Sequence, residues 1–238
     1  MRTLREKKPI WVTCAVVNAI CLIVLIFFVG IKLPSFGMWF YTWQYDVNDT
    51  YAVVNMEPED LHEVTRHMIR YMQGHLDRDD GLQIETVVGG QPRDFFSEIE
   101  IRHMVDVYDL FIVGLLIRDL LGILLVFTSI FFLIWGRTHV KSLFKAWQYG
   151  SAGVFLILGT LVAVIAINWH HAFVVFHEIF FNNDYWILDA RVDLLVNIVP
   201  YPFFITISVF IGVFFAVGLA LLFTISTIST ILRQRLGR

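Results

Sequence analysis

Histidine is the side chain whose ordinary pKa suits proton transfer near neutral pH, and this sequence holds eight. Two of them stand where chemistry is plausible. His103 is followed three residues later by Asp106 and preceded three residues earlier by Glu100. On a helix that spacing puts the three side chains on one face, where a carboxylate can orient the imidazole and favour its charged form. His177 lies in the stretch FHEIFFNNDYWILDARVD, residues 176–193, which mixes five aromatics with Glu178, Asn182, Asn183, Asp184, Asp189 and Asp193. That is too aromatic for a solvated loop and too polar for a plain core. It reads either as an interfacial re-entrant site or as an amphipathic helix that only anchors a loop. His62, His67, His75 and His139 read as surface histidines.

A third group is Arg118 and Asp119, about 12 Å into an apolar run at 1.5 Å per residue, where unpaired charge is expensive. As neighbours on a helix they are expected to point apart, with at least one turned to the bundle interior or a wet cavity. An ion pair with another helix and a substrate contact are equally open. His170, His171, His177 and Glu178 raise the possibility of zinc, but Glu178 is not followed by the second histidine of HExxH, since position 181 is Phe181. No cysteine cluster accompanies them either. No metal ligand set and no cofactor is expected.

What must position these residues is a membrane. Of 238 residues 57% are hydrophobic and 16% charged, proportions wrong for a soluble fold. Four runs, at 10–31, 110–135, 150–167 and 203–223, are long and apolar enough to cross a hydrocarbon core as helices. The first is followed by Lys32, Leu33 and Pro34 rather than by a small-residue cleavage site, so it reads as an uncleaved span. Charge is distributed unevenly: residues 33–109 carry fifteen acids against five bases, whereas residues 1–9, 136–149 and 233–238 are basic. Basic segments mark the cytoplasmic side, and Trp39, Trp43, Trp135, Trp147 and Trp169 fall near span ends, as interfacial aromatics do. These bases sit beside apolar runs as topology determinants, so no nucleic-acid partner is indicated. Cys14 and Cys21, seven residues apart on one helix, are roughly 10 Å apart and too far for a disulfide.

The organisation predicted is an α-helical integral membrane protein with four transmembrane helices and a small mixed α/β extracellular cap. Residues 1–32 are the cytoplasmic N-terminus and first span, 33–109 the cap, 110–135 the second span and 136–149 a basic cytoplasmic loop. Residues 150–167 form the third span, 168–202 an extracellular or re-entrant segment, 203–232 the fourth span and 233–238 a basic cytoplasmic tail. Within the cap, 59–76 shows helical spacing with Pro58 suited to a first turn and Gly74 and Gly81 closing it. Residues 51–54 and 82–88 read as short strands, the second ended by Gly89, Gly90, Gln91 and Pro92. Residues 95–109 read as a helix running into the second span, with Ser97 and Glu100 spaced as a capping box.

Two segments, IEIRHMVDVYDLF at 99–111 and FHEIFFNNDYWILDARVDLLVNIVPYPFF at 176–204, resemble the two motifs of the lipoprotein intramolecular transacylases of Gram-positive bacteria. The four-span plan and exterior cap agree over nearly the whole chain, and the second motif is the specific one. Tyr108 stands where that family usually has lysine, Ala190 where it often has proline, and Tyr201 where an acid is common. The resemblance implies a bacterial cell-membrane enzyme with its active site at the extracellular face. It would move the sn-2 acyl chain of a diacylglyceryl lipoprotein to the α-amine of that lipoprotein's N-terminal cysteine, giving a lyso-form product. The family uses one histidine from each motif, here His103 and His177, with Asp106, Glu100, Glu178, Asn182 and Asp184 as supporting groups and membrane lipid as surroundings. His177 among aromatics suits a neutral base, and His103 beside Asp106 an acid or oxyanion donor. A zinc-dependent membrane hydrolase and a non-catalytic scaffold or accessory protein are the rivals. A secondary transporter fits less well, because the spans lack paired helix-breaking interruptions.

Overall fold

The computed structural model describes residues 8–136 and 138–235. The basic N-terminus up to Lys7, Arg137 and the end of the tail at Arg238 lie outside the described residues. In chain order the elements are α1 (Lys8–Ser35), α2 (Met38–Val47), α3 (Thr50–Val54), α4 (Pro58–Met72), β1 (Glu85–Val88), β2 (Gln91–Asp94), α5 (Glu98–Ile134), α6 (Val140–Ile167), α7 (Trp169–Phe180), α8 (Leu195–Ile198) and α9 (Tyr201–Arg235). Among the described residues α1, α5, α9 and the Val140–Ala163 part of α6 are long and apolar enough to cross a membrane, as expected.

The chain forms two compact units. The first holds the described parts of residues 1–30, 116–166 and 211–238. Lipid tails give no hydrophobic reason for helices to associate, so contact must come from close packing and polar side chains. Both are present. Trp11 is fully buried and its ring stacks on Phe131 at 5.0 Å. Gly218 faces α1 so closely that a Cβ there would lie 2.4 Å from Ile26 Cγ2. Asn18, fully buried in an apolar stretch of α1, has its whole carboxamide answered. Its Nδ2 donates to Thr128 Oγ1 at 2.9 Å and Ser129 Oγ at 3.0 Å, and its Oδ1 accepts from Trp147 Nε1 at 3.0 Å. One side chain thus joins α1, α5 and α6. Cys14 and Cys21 are free thiols.

The second unit holds residues 31–115 and 167–210. Its core is aromatic and aliphatic, with Phe40, Tyr45, Leu61, Val64, Tyr71 and Phe95 all fully buried. Leu61, Val64 and Met68 recur at helical spacing on α4 and bury one face, which is the force that holds this helix. Pro58 stands in its first turn. The helix stops at Met72 rather than continuing to 76, because Gly74 adopts φ 75° and lets the Gly74 and His75 amides turn back onto the Tyr71 and Arg70 carbonyls.

Four details differ from the sequence expectation. Residues 51–54 are helix, not strand: Asp49 and Asn55, both at φ 52°, bracket a single turn that buries Thr50 and Val54 four residues apart. Tertiary burial on a helical face outweighs the β preference of the valines. The strand expected at 82–88 is confined to Glu85–Val88, and the Gly89, Gly90, Gln91, Pro92 stretch does not end it but folds it back. Gly89 and Gly90, at φ 60° and 76°, make the two-residue turn of an antiparallel hairpin in which Val87 pairs with Pro92. Most of the loop expected at 136–149 is the start of α6, which carries Lys141 and Lys145 on its first turns. Finally, α2 is a helix where only connecting chain was foreseen, and the helix offered as one reading of residues 176–193 begins earlier and stops sooner, as α7 (Trp169–Phe180).

The Asn18 cluster gives a direct expectation. Asn18→Ala takes one partner from each of Thr128, Ser129 and the Trp147 indole and should destabilise the first unit by about 1 kcal/mol, the scale of such bonds between membrane helices. Thermal unfolding in detergent measures it, and an unchanged midpoint would show that the cluster contributes nothing net.

Candidate active site

The first turn of α5 is built by the residues expected to cap it. The Ser97 amide donates to Glu100 Oε2 at 2.5 Å and the Glu100 amide to Ser97 Oγ at 3.4 Å, a reciprocal capping box. Glu100 does more than cap. Its side chain is 1% exposed, and its Oε1 accepts from the Leu195 amide at the start of α8. Ser97 Oγ in turn donates to Asp193 Oδ1 at 3.0 Å, and Asp193 Oδ2 accepts from the Asp189 amide at 2.8 Å. The two segments that carry the histidine motifs are therefore stitched together through buried oxygens.

One turn further along α5 is His103, and at the last turn of α7 is His177, 9% and 7% exposed. Their ring centroids are 6.1 Å apart. Aromatic rings surround them. Trp186 stacks on His177 at 4.7 Å and 28°, Phe173 lies 4.2 Å from the same ring, and Phe181 stands edge-on to His103 at 5.4 Å and 5.6 Å from His177. Tyr201 closes on Phe173 at 6.1 Å.

The tautomer of His177 follows from its partner. Its Nδ1 lies 2.7 Å from the Phe173 carbonyl oxygen, and a carbonyl can only accept. Nδ1 therefore carries the proton, and the neutral ring presents a bare Nε2 lone pair. Burial pushes the His177 imidazole below the ordinary histidine value, and the bond to Phe173 offsets part of that. On His103, Nδ1 is buried with no hydrogen-bond partner among the described residues.

Among the described residues no hydrogen bond from Asp106 orients His103, and although the Asp106 charge favours the charged imidazole, as expected, burial and the nearby His177 outweigh it. Asp106 Oδ2 accepts instead from Asn183 Nδ2 at 2.8 Å, because the carboxylate leans across to the segment that follows α7. Glu178, Asn182 and Asp184 are exposed, and among the described residues no hydrogen bond brings their side chains to either imidazole. Sequence reasoning gave no role at the site to Asn183, Trp186, Phe173, Phe181 and Asp193, and gave Ser97 only that of a helix cap. Asn183 and Asp193 were visible as polar positions in an aromatic stretch, but the choice among neighbouring polar positions needs the fold. His62 and His67 have structural partners, the Tyr51 hydroxyl at 2.9 Å and the Gly81 carbonyl at 2.8 Å.

Arg118 and Asp119 belong to the first unit and correct a second expectation. They do not point apart: the guanidinium Nη2 reaches back to Asp119 Oδ1 at 2.6 Å and Nε to the same oxygen at 2.8 Å. A long, flexible arginine can wrap around one residue of helix, and pairing with its neighbour lowers the cost of both charges. The pair lines an open groove of about 630 Å³ with Leu25, Gly122, Ile123 and Val126.

The Bacillus cereus lipoprotein intramolecular transacylase Lit, solved in meso, has the same fold. It matches with TM-score 0.81 at 20% identity over 97% of this chain and 100% of that one. Structures of two histidine-substituted variants of the Bacillus cereus protein give 0.74 and 0.73 at 21% identity, covering 95% and 94% of this chain and 94% of each variant. No curated protein sequence matches. The family described as "Lipoprotein intramolecular transacylase Lit" matches residues 16–204, a stretch that takes in most of α1, all of the second unit but its last six residues, and both histidine-bearing segments. With four apolar helices and a shared fold alongside that match, the chain belongs to the lipoprotein intramolecular transacylase family, whose members are membrane acyltransferases.

Proposed function

We propose that this protein moves the sn-2 acyl chain of a diacylglyceryl lipoprotein onto the α-amine of the lipoprotein's own N-terminal cysteine, with His177 as base and His103 as oxyanion donor or acid. The observation that carries the reading is the pair of buried imidazoles, one from each motif, facing each other within an aromatic enclosure. Nucleophile and ester are parts of one substrate, so attack closes a ring of roughly eight members, and holding that conformer supplies much of the rate. No enzyme nucleophile is needed. The amine nitrogen attacks the ester carbon, and its proton passes to His177 Nε2, the nitrogen left bare by the Nδ1 bond to Phe173. The tetrahedral intermediate's oxyanion is stabilised by a donor such as the N–H that a neutral His103 ring always carries. As the carbon–oxygen bond to glycerol breaks, the alkoxide takes up the proton that His177 accepted, directly or by relay through His103, which leaves both rings neutral. The products are an amide at the cysteine nitrogen and a free sn-2 hydroxyl.

For location, we infer a multi-pass protein of the bacterial cell membrane with both termini cytoplasmic and the histidine pair at the extracellular face. The support is the alternation of basic and acidic segments along the chain. A reporter after Arg238 or near Lys141 should therefore be cytoplasmic and a label near Asp80 accessible from outside. Labelling at Asp80 that requires permeabilised cells would reverse the orientation.

His103→Ala and His177→Ala should each remove lyso-form lipoprotein, with losses of roughly 10²-fold to 10⁴-fold, while thermal unfolding in detergent stays close to wild type. The double variant should be little worse than either single one, since both groups act on one transition state. His67→Ala and His75→Ala should remain near wild type. The measured quantity is the ratio of lyso to diacyl N-terminal lipopeptide by mass spectrometry. Substantial activity in either active-site variant removes that residue's role, and a wild type that makes no lyso-form removes the function.

The pH profile has a definite sign. The base acts in its neutral form, and burial lowers the His177 pKa, so the base stays competent at pH values where a solvated histidine is already charged. With the titration of the substrate α-amine, ordinarily near about 8, divided out, the remaining acid limb of kcat/KM should be centred below about 6.5, the ordinary histidine value. A limb centred at or above that value contradicts His177 as base.

A further inference from the structure

Asp106 and Asn183 have no part in the proton transfers just described, yet they join the two elements that carry them. Asp106 stands on α5 three residues past His103, and its Oδ2 accepts from Asn183 Nδ2 at 2.8 Å. Asn183 is in the segment that leaves α7. Its own Oδ1 accepts from the Tyr185 amide at 3.0 Å, an Asx turn that fixes the backbone by a side chain. The next residue is Trp186, whose ring stacks on His177 at 4.7 Å. A second hold lies beside the first: the Arg102 guanidinium sits 5.7 Å over the Tyr185 ring. Two positions of α5 one turn apart, 102 and 106, thus grip a turn only three residues long. The neighbouring polar residues Asn182 and Asp184 are exposed.

His177 needs such a hold. Its bond to Phe173 comes from its own helix and fixes the tautomer, but it does not tie α7 to α5. The neighbouring stitch at Glu100, Ser97 and Asp193 fastens the chain only from Asp189 onward. Between Phe181 and Asp189, Asp106 and Arg102 are the charged groups of α5 that hold the chain, through Asn183 and Tyr185, and a charge-assisted hydrogen bond is about twice as strong as a neutral one.

We propose that Asn183, held by Asp106, is a positioning residue that seats Trp186 against His177 and so fixes the imidazole opposite His103. Asp106 on this account serves the histidine of the other motif, not its neighbour on α5. The proposal rests on the reading of His177 as the base.

The test uses the full-length protein in detergent with a synthetic diacyl lipopeptide as substrate. Asn183→Asp sets two carboxylates against each other and should lower kcat roughly 10-fold to 100-fold, the scale of a small misplacement of a reacting group, with KM much less affected. Asp106→Asn should be milder, because two carboxamides can still bond. The exchange Asp106→Asn/Asn183→Asp restores the pair with donor and acceptor reversed and should recover most of the turnover lost in Asn183→Asp. Unfolding midpoints are measured alongside. Wild-type kcat in Asn183→Asp, or an exchange variant no better than Asn183→Asp alone, overturns the positioning role. His177→Ala separates the two levels of the argument. If it keeps wild-type turnover, the base assignment fails and the proposal with it. If it is inactive while Asn183→Asp is normal, only the positioning role fails.

Discussion

A carboxylate taken out of water must have its lone pairs answered or it will not stay ionised and folded at once. Glu100 meets that demand with backbone amides from two distant places in the sequence, Ser97 and Leu195. The demand organises the second unit. It fixes where α5 begins, and hence the face on which His103 falls. It also draws the start of α8 against that first turn, bringing the polar and aromatic segment after α7 alongside. Asp193, bound to Ser97 and to the Asp189 amide, extends the same device by one more acid. The histidine pair is thus set by hydrogen bonding to main chain and is then enclosed by aromatic packing.

Much of this was legible from residue types and spacing. The four apolar runs announced four long helices because length and composition leave few other structures for such segments. The capping box at Ser97 and Glu100 is a local pattern and formed as spaced. Pro58 and the apolar recurrence on α4 marked a helix whose end was set by Gly74. The two motifs pointed to the histidine pair that the fold brings within 6.1 Å, and family membership is consistent with that resemblance.

What was not legible depended on competition between local and tertiary preference. Residues 51–54 have the composition of a strand, but burial of Thr50 and Val54 on one helical face decided otherwise. Glycine pairs end strands or turn them, and the difference at Gly89 and Gly90 lies in a partner strand, Gln91–Asp94, that has no strand-like composition. Asp106 was assigned to His103 by sequence distance, whereas its partner is Asn183, seventy-seven residues away. Arg118 and Asp119 were read by the direction of their Cα–Cβ bonds, which neglects how far an arginine head can travel from its stem.

The bond from His177 Nδ1 to the Phe173 carbonyl has an evolutionary consequence. Many paired imidazoles are oriented by a carboxylate, a side chain that a single substitution can delete. Here the acceptor is main chain, four residues earlier in the same helix, and every amino acid at position 173 would supply it. The tautomer of His177 is therefore insulated from drift at that position so long as α7 remains helical. Sequence around the histidine is free to diverge in ring size and polarity without altering which nitrogen is bare.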